Sequence, residues 1–269
     1  MELARCTLDN KVYSAVDFST LSDLSTKRRN LICDECKNPA YFKKAAKSGQ
    51  AACFGARPHK DGCSVASEDS DTVAGKLEDD ERALINDGNS IKVDFDFGSK
   101  TNTHIVDMED SESNPRKTGS SHHITNGLGK AKSNRRLKSL LNMLINDSGF
   151  AASKIKIDIG HEYPYNASTI FRRFGNLSDS DVGKIKGLYG QILDVVCIKG
   201  LWINSGGFSD CSIFISKDLE NSFFERFKKY QDDADELCGK YVLCFGRIKK
   251  SKKGKFYIEL DDISKISFK

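Results

Sequence analysis

Apolar and polar positions alternate most regularly from Lys186 onward. The segments "GLYGQILDVVCI", "GLWIN" and "DCSIFISK" predict three strands, the first turning into the second at Lys199-Gly200. "LENSFFERFKKYQ" then puts Phe223, Phe224 and Phe227 on one side of a helix. "GKYVLCFGRIKK" and "GKFYIELDDISKI" add two strands across the hairpin turn "SKKG". Farther upstream, Leu137, Leu140, Leu141, Leu144 and Ile145 recur at helical spacing behind Ser133, which predicts a helix with Arg135, Arg136 and Lys138 in its first turns. In "SIKVDFDFG", Ile91, Val93, Phe95 and Phe97 alternate with Lys92, Asp94 and Asp96, the pattern of a half-buried strand. "SKIKIDIG" reads as a short strand, and "HEYPYNASTIFRRFGNLSDSDVGK" as largely irregular chain.

These elements predict an α+β fold that is mainly β, in four parts. Residues 1–67 form a cysteine-containing front module around "LICDECKNPAYF". Residues 68–132 are rich in Ser, Asp, Gly and Asn and read as an acidic, partly ordered connector. Residues 133–185 carry the helix and a bridging segment, and residues 186–269 the regular strands. No run of eighteen apolar residues occurs, and "MELARCTLDNKVYS" lacks the regions of a secretory signal, so the expectation is a cytoplasmic chain with no membrane partner. Nine cysteines in a reducing compartment are then thiols or metal ligands.

Cys33 and Cys36 form a C-x₂-C pair, which delivers two thiolates from one tight turn. "PHKDGC" offers His59 and Cys63 as the second pair of a tetrahedral structural zinc site, with Cys53 the rival fourth ligand. Four protein ligands leave no position open for a catalytic water. A thioredoxin-like redox pair is disfavoured, because Asn38-Pro39 interrupts the helix that such a motif needs. "CDEC" followed by "RPHKDGC" resembles the amino-terminal zinc-binding segment of competence-protein-like families over a stretch of about forty residues. Arg57, Pro58 and His59 fit that likeness, Cys63 stands where the family has a second histidine, and the family's nuclease domain has no counterpart downstream.

Three strands, a helix and two strands resemble the nucleic-acid-binding OB-fold, a five-stranded barrel with its helix between strands three and four. Such barrels stack bases on aromatics of strands two and three, while loop lysines follow the phosphates. With Leu201, Ile203, Ile213 and Ile215 inside, Trp202 and Asn204 on the second strand and Ser212, Phe214 and Ser216 on the third face outward.

Net charge is only +4, but it is segregated. Glu68 to Glu112 holds fourteen acidic residues against four basic ones, whereas Lys240 to Lys255 holds seven basic residues and no acidic one. Arg247, Lys249, Lys250, Lys252, Lys253 and Lys255 thus give the predicted hairpin a positive field suited to nucleic acid. No glycine-rich phosphate loop, nucleophile elbow or H-E-x-x-H occurs, so catalysis is not the first expectation. Asp94 with Asp96, or Asp158 with His161 and Glu162, are the carboxylates a metal-dependent nuclease would have to use. The sequence therefore points to a non-catalytic single-stranded nucleic-acid-binding protein. A nuclease, or an adaptor whose barrel face or acidic connector meets a protein, are the alternatives.

Overall fold

The computed structural model describes residues 1–46, 49–56, 58–66, 90–95, 133–206 and 210–269, and the described residues form three sheets. The first is the front module. Strands β1 (Leu3–Cys6), β2 (Val12–Ser14), β3 (Leu31–Ile32), β4 (Pro39–Lys43) and β5 (Cys53–Ala56) pair in the order β2-β1-β3-β4-β5, all antiparallel. Helices α1 (Ala15–Ser19) and α2 (Leu24–Lys27) lie in the β2–β3 connection. Ser14 caps α1 by accepting the Asp17 N–H at 3.1 Å. The small core centres on Phe18, Phe42 and Phe54, whose rings meet at 5.0 to 5.4 Å in edge-on and tilted pairs.

The second sheet joins β6 (Ser90–Asp94), β7 (Ser133–Arg136), β8 (Lys156–Asp158) and β9 (Tyr165–Asn166) in the order β7-β6-β8-β9. Strand β6 runs parallel to both neighbours. Helix α3 (Leu137–Asn146) crosses over it and buries Leu137, Leu140, Leu141, Met143 and Leu144. The helical expectation thus holds from Leu137, but residues 133–136 are strand, so Arg135 and Arg136 belong to β7 and not to a helical turn. The stretch expected to be irregular contains β9, α4 (Ala167–Ile170) and β10 (Phe171–Arg173). The alternation around Ile91 is realised, with Ile91 and Val93 buried and Lys92 exposed. Asp96, Phe97 and nearly all of the acidic connector lie outside the described residues.

The third sheet contains β10, β11 (Ile185–Gln191), β12 (Asp194–Cys197), β13 (Leu201–Asn204), β14 (Ser212–Ile215), β15 (Tyr241–Lys250), β16 (Phe256–Glu259) and β17 (Ile266–Phe268). Its path is β10-β11-β15-β16-β14-β13-β12, with β17 added to β15. Helix α5 (Lys217–Arg226) falls between β14 and β15 as expected, and Phe223 is its fully buried anchor. β11 and β12 are one run of chain broken at Ile192-Leu193. Ile192 donates to Lys240 O at 2.9 Å on one side, and Leu193 donates to Asn204 O at 2.9 Å on the other. That single run therefore pairs with both β13 and β15.

Alternation decides what each strand faces. Leu201, Ile203, Ile213, Ile215 and Ile258 fill the inside of the third sheet. Strand β15 is apolar on both faces because two cores share it: Val242, Cys244 and Ile248 point into the third sheet's core, Leu243 and Phe245 into that of the second sheet and α3. The Lys199-Gly200 turn forms where expected. Gly200 sits at φ +130°, where a Cβ would lie 2.6 Å from Ile215 O. No helix among the described residues is long and apolar enough to cross a membrane.

Candidate functional site

The first candidate is a cluster of four donors. Cys33 and Cys36 sit in the turn between β3 and β4, closed by Cys33 N–H to Asn38 O at 2.9 Å and Lys37 N–H to Cys33 O at 3.0 Å. Lys37 takes φ 61° to make this turn. His59 and Cys63 come from a second turn after β5, with Gly62 at φ +80°. The four donor atoms all lie within 4.8 Å of one another. Cys33 Sγ to Cys63 Sγ is 3.9 Å, Cys36 Sγ to His59 Nδ1 is 3.4 Å, and Cys63 Sγ to His59 Nδ1 is 3.2 Å. Metal–sulfur bonds of about 2.3 Å in a tetrahedron would separate the sulfurs by about 3.8 Å, so these edges suit such a centre. The cluster could hold a metal ion. Cys53 is outside it, on β5 opposite Lys43, so the geometry selects Cys63 over Cys53.

The surroundings favour thiolate at one corner. Burial pushes the Cys36 thiol up, but hydrogen bonds from the Lys60 and Asn38 backbones, with His59 and Cys33 alongside, bring it down to about 6. Cys63 goes the other way, to about 11, because burial is joined by its two neighbouring cysteines. The two turns are strapped together by Glu35, whose carboxylate accepts Ser64 N–H at 2.7 Å and Ser64 Oγ–H at 2.6 Å. Asn38 Nδ2 adds a bond to Pro58 O at 2.7 Å. Among the described residues no second group of this kind forms, and Asp158, His161 and Glu162 are not brought together. Arg57 lies outside the described residues.

The second candidate is the outer face of the third sheet. Trp202 and Phe214 are direct cross-strand partners, and their rings stack at 4.4 Å and 30°. Tyr257 on β16, in register with Ser212, brings its ring to 6.0 Å from Trp202. All three are half-buried, so part of each ring is presented. Tyr257 was missed in the sequence because the parallel pairing of β14 with β16 places it there, and nothing local signals that pairing.

Asn204 and Ser212 lie on the same face as expected, but they do not face solvent. Asn204 is 2% exposed and Ser212 fully buried. Asn204 donates to Asp194 Oδ2 at 3.1 Å and accepts from Ser212 Oγ–H at 2.6 Å. The front module covers them. Arg29 Nε donates to Asp194 Oδ2 at 2.5 Å, and Arg28 Nε forms an ion pair with Asp194 Oδ1 at 2.9 Å. Arg28 also reaches Asp235 at 3.3 Å and the Phe42 carbonyl at 3.4 Å. Asp194 is fully buried and Arg28 is 4% exposed, so a charge cluster seals the join. Beside it Tyr41 wedges between Gly55 and Gly239, where a Cβ would stand 2.4 and 2.2 Å from its ring. "KRRN" is the sequence trace of this junction, an arginine pair directly after a helix, but its partners are about 165 and 207 residues away.

The lysine-rich hairpin forms between β15 and β16, with Gly254 at φ +83° closing the turn. Its charges are not equally available. Lys249 pairs with Glu259 at 2.5 Å, Lys250 with Asp179, and Arg247 donates to the Gly183 carbonyl. Lys255 is half-buried, its Nζ 3.5 Å from Asn204 Oδ1, and burial with Arg29 alongside lowers its pKa. Lys252 and Lys253 are exposed at the tip.

No protein-family model matches the chain, and no curated protein matches it. Among solved structures, a chain in the crystal structure of the S. pombe Stn1-ten1 complex is similar at 10% identity with a TM-score of 0.24. The match covers 32% of this chain and spans 57% of that one, a likeness too slight to decide fold or function.

Proposed function

We propose that this protein binds single-stranded nucleic acid on the outer face of an OB-like barrel, with a zinc-stabilised module docked beside the binding row. The observation that carries this is the stack of Trp202 on Phe214 with Tyr257 alongside, on neighbouring strands and next to a lysine tip. Support for the barrel comes from connectivity: five strands with a helix between the third and fourth, the first pairing with both the second and the fourth. Zinc is supported by three thiols and one imidazole at tetrahedral spacing in a closed site. The reading is of a binding protein in a reducing, cytoplasmic setting, with the ion structural.

Trp202 is the sole tryptophan, so its fluorescence reports the face directly. Titration with an unlabelled oligonucleotide should quench it. Replacing Lys252 and Lys253 by Gln should lower the slope of log affinity against log salt by about 1.4, from roughly 0.7 per single-strand phosphate contact. Unchanged fluorescence together with an unchanged slope would overturn the reading in favour of a protein partner for the same face. Strand cleavage on addition of magnesium would favour the nuclease.

A further inference from the structure

A separate open cleft of about 680 Å³ lies where the second sheet and α3 meet the third sheet, with Pro58 of the front module among its lining residues. Its size falls within the range of small-molecule sites, which favour such junctions. Two features define its chemistry. One wall is aromatic: Tyr189 on β11 and Tyr241 on β15 are diagonal neighbours on one face, and Phe171 on β10 continues them. Among the described residues, the charged ones lining the cleft are Arg172 and Arg173, and no carboxylate lines it.

Arg172 is braced. Its Nη1 donates to the carbonyls of Ser168 and Phe171, both at 2.8 Å, and its Nε lies 3.4 Å from Asp181. Asp181 is shared with Lys186 at 3.2 Å, so one carboxylate serves two cations, and the exposed Arg173 adds a third positive charge. Arg173 is also close enough to Tyr189 to oppose the upward push that burial gives that phenol. The cleft thus presents the exposed Arg173 guanidinium at one end and flat apolar rings along its wall. An anion carrying a planar apolar body matches both.

We propose that this cleft is a second site, which takes a mononucleotide with its phosphate at Arg173, the cross-strand neighbour of Tyr189, and its base against Tyr189 and Tyr241. The nucleotide is either free or the phosphorylated end of a strand, since the recognised chemistry is the same.

The test uses the full chain carrying Trp202→Ala, so that the sheet face does not report, and adenosine monophosphate as the calorimetric probe. One saturable site is expected, of equal affinity in the wild type. Adenosine without phosphate, and the variant Arg173→Gln, should each bind about tenfold more weakly or worse, the loss of a charge-assisted contact. Arg173 is exposed, so its replacement leaves the fold in place, which circular dichroism checks. Displacement of the probe by a 5′-phosphorylated oligonucleotide supports the proposal with a strand end as ligand, and no displacement supports it with a free nucleotide. Absence of saturable binding at millimolar probe, or equal affinity in Arg173→Gln, would overturn it. So would silence of the probe alongside binding of an acidic aromatic peptide. Loss of Trp202 quenching in the wild type bears only on the sheet face, so the two readings fail separately.

Discussion

The outer face of the third sheet has two halves built on the same strands. Asp194, Asn204 and Ser212 form a polar row across β12, β13 and β14, and Val196, Trp202 and Phe214 form the next row two residues along. The polar row is buried under Arg28 and Arg29, whereas the aromatic row is left half-open. A charge row can be covered only by a partner that neutralises it, and the front module brings two guanidiniums to one carboxylate. The aromatic row needs no such partner, because every base offers a π-face. Composition, row by row, therefore separates what is docked from what is available for a ligand.

The largest effect expected comes from the metal. Cys36→Ser should release about one zinc per chain and unfold the front module, a loss on the scale of 10 kcal/mol or more for small zinc domains. The polar row should then become accessible while the aromatic row keeps its ligand. Elemental analysis gives the metal content, and amide exchange at β12 and β13 gives the uncovering. Protein purified without chelator and free of metal would remove zinc from the account.

Next in size is Asp194→Ala, which leaves Arg28 buried without its closest counter-charge. We expect about 3 to 5 kcal/mol of destabilisation, measured by urea unfolding. Trp202→Ala should do the reverse: a smaller stability change, with oligonucleotide affinity lower by about 1 to 3 kcal/mol and its salt slope unaltered. If the two variants behaved alike in both assays, the division between the rows would fail.

The smallest effect is a pH dependence away from this face. Burial pushes the Asp181 carboxyl up, but the Ser178 backbone N–H, Lys186 and Arg172 outweigh it and hold it below the ordinary 3.8. A carboxylate lowered on folding stabilises the fold above its unfolded value, and that contribution is lost as pH falls through the folded one. The urea midpoint should therefore fall on acidification below about pH 4, and Asp181→Asn should flatten that limb. An unchanged limb in Asp181→Asn would place the acid sensitivity elsewhere.

How much of this was legible in the sequence depends on how far apart the partners lie. The C-x₂-C turn, the β15–β16 hairpin, the Lys199-Gly200 turn and the amphipathic face of α5 are each written in adjacent residues. The burial of Asn204 was not, because Arg28 and Arg29 cover it from the far end of the chain. Inward and outward alternation placed Asn204 on the right side of its strand but could not show that the side was occupied. Likewise the lysine run gave the hairpin its charge, while the pairing of Lys250 with Asp179 belongs to the tertiary structure. The start of α3 moved three residues, from Asn134 to Leu137, because β6 recruits Ser133–Arg136 as a parallel neighbour, a tertiary demand that overrides the helical spacing.

The break at Ile192-Leu193 has a kinetic consequence. Strands β12 and β13 are joined by a tight turn and can pair at once, whereas the edge of β11 that meets β15, about fifty residues farther along the chain, must wait for it. The two halves of one run should thus acquire protection at different times during refolding, β12 early and β11 late, with Ile192 at the boundary between local and long-range order. In pulse-labelled exchange, the Leu193 amide should be protected before that of Ile192, adjacent in sequence but bonded to different neighbours.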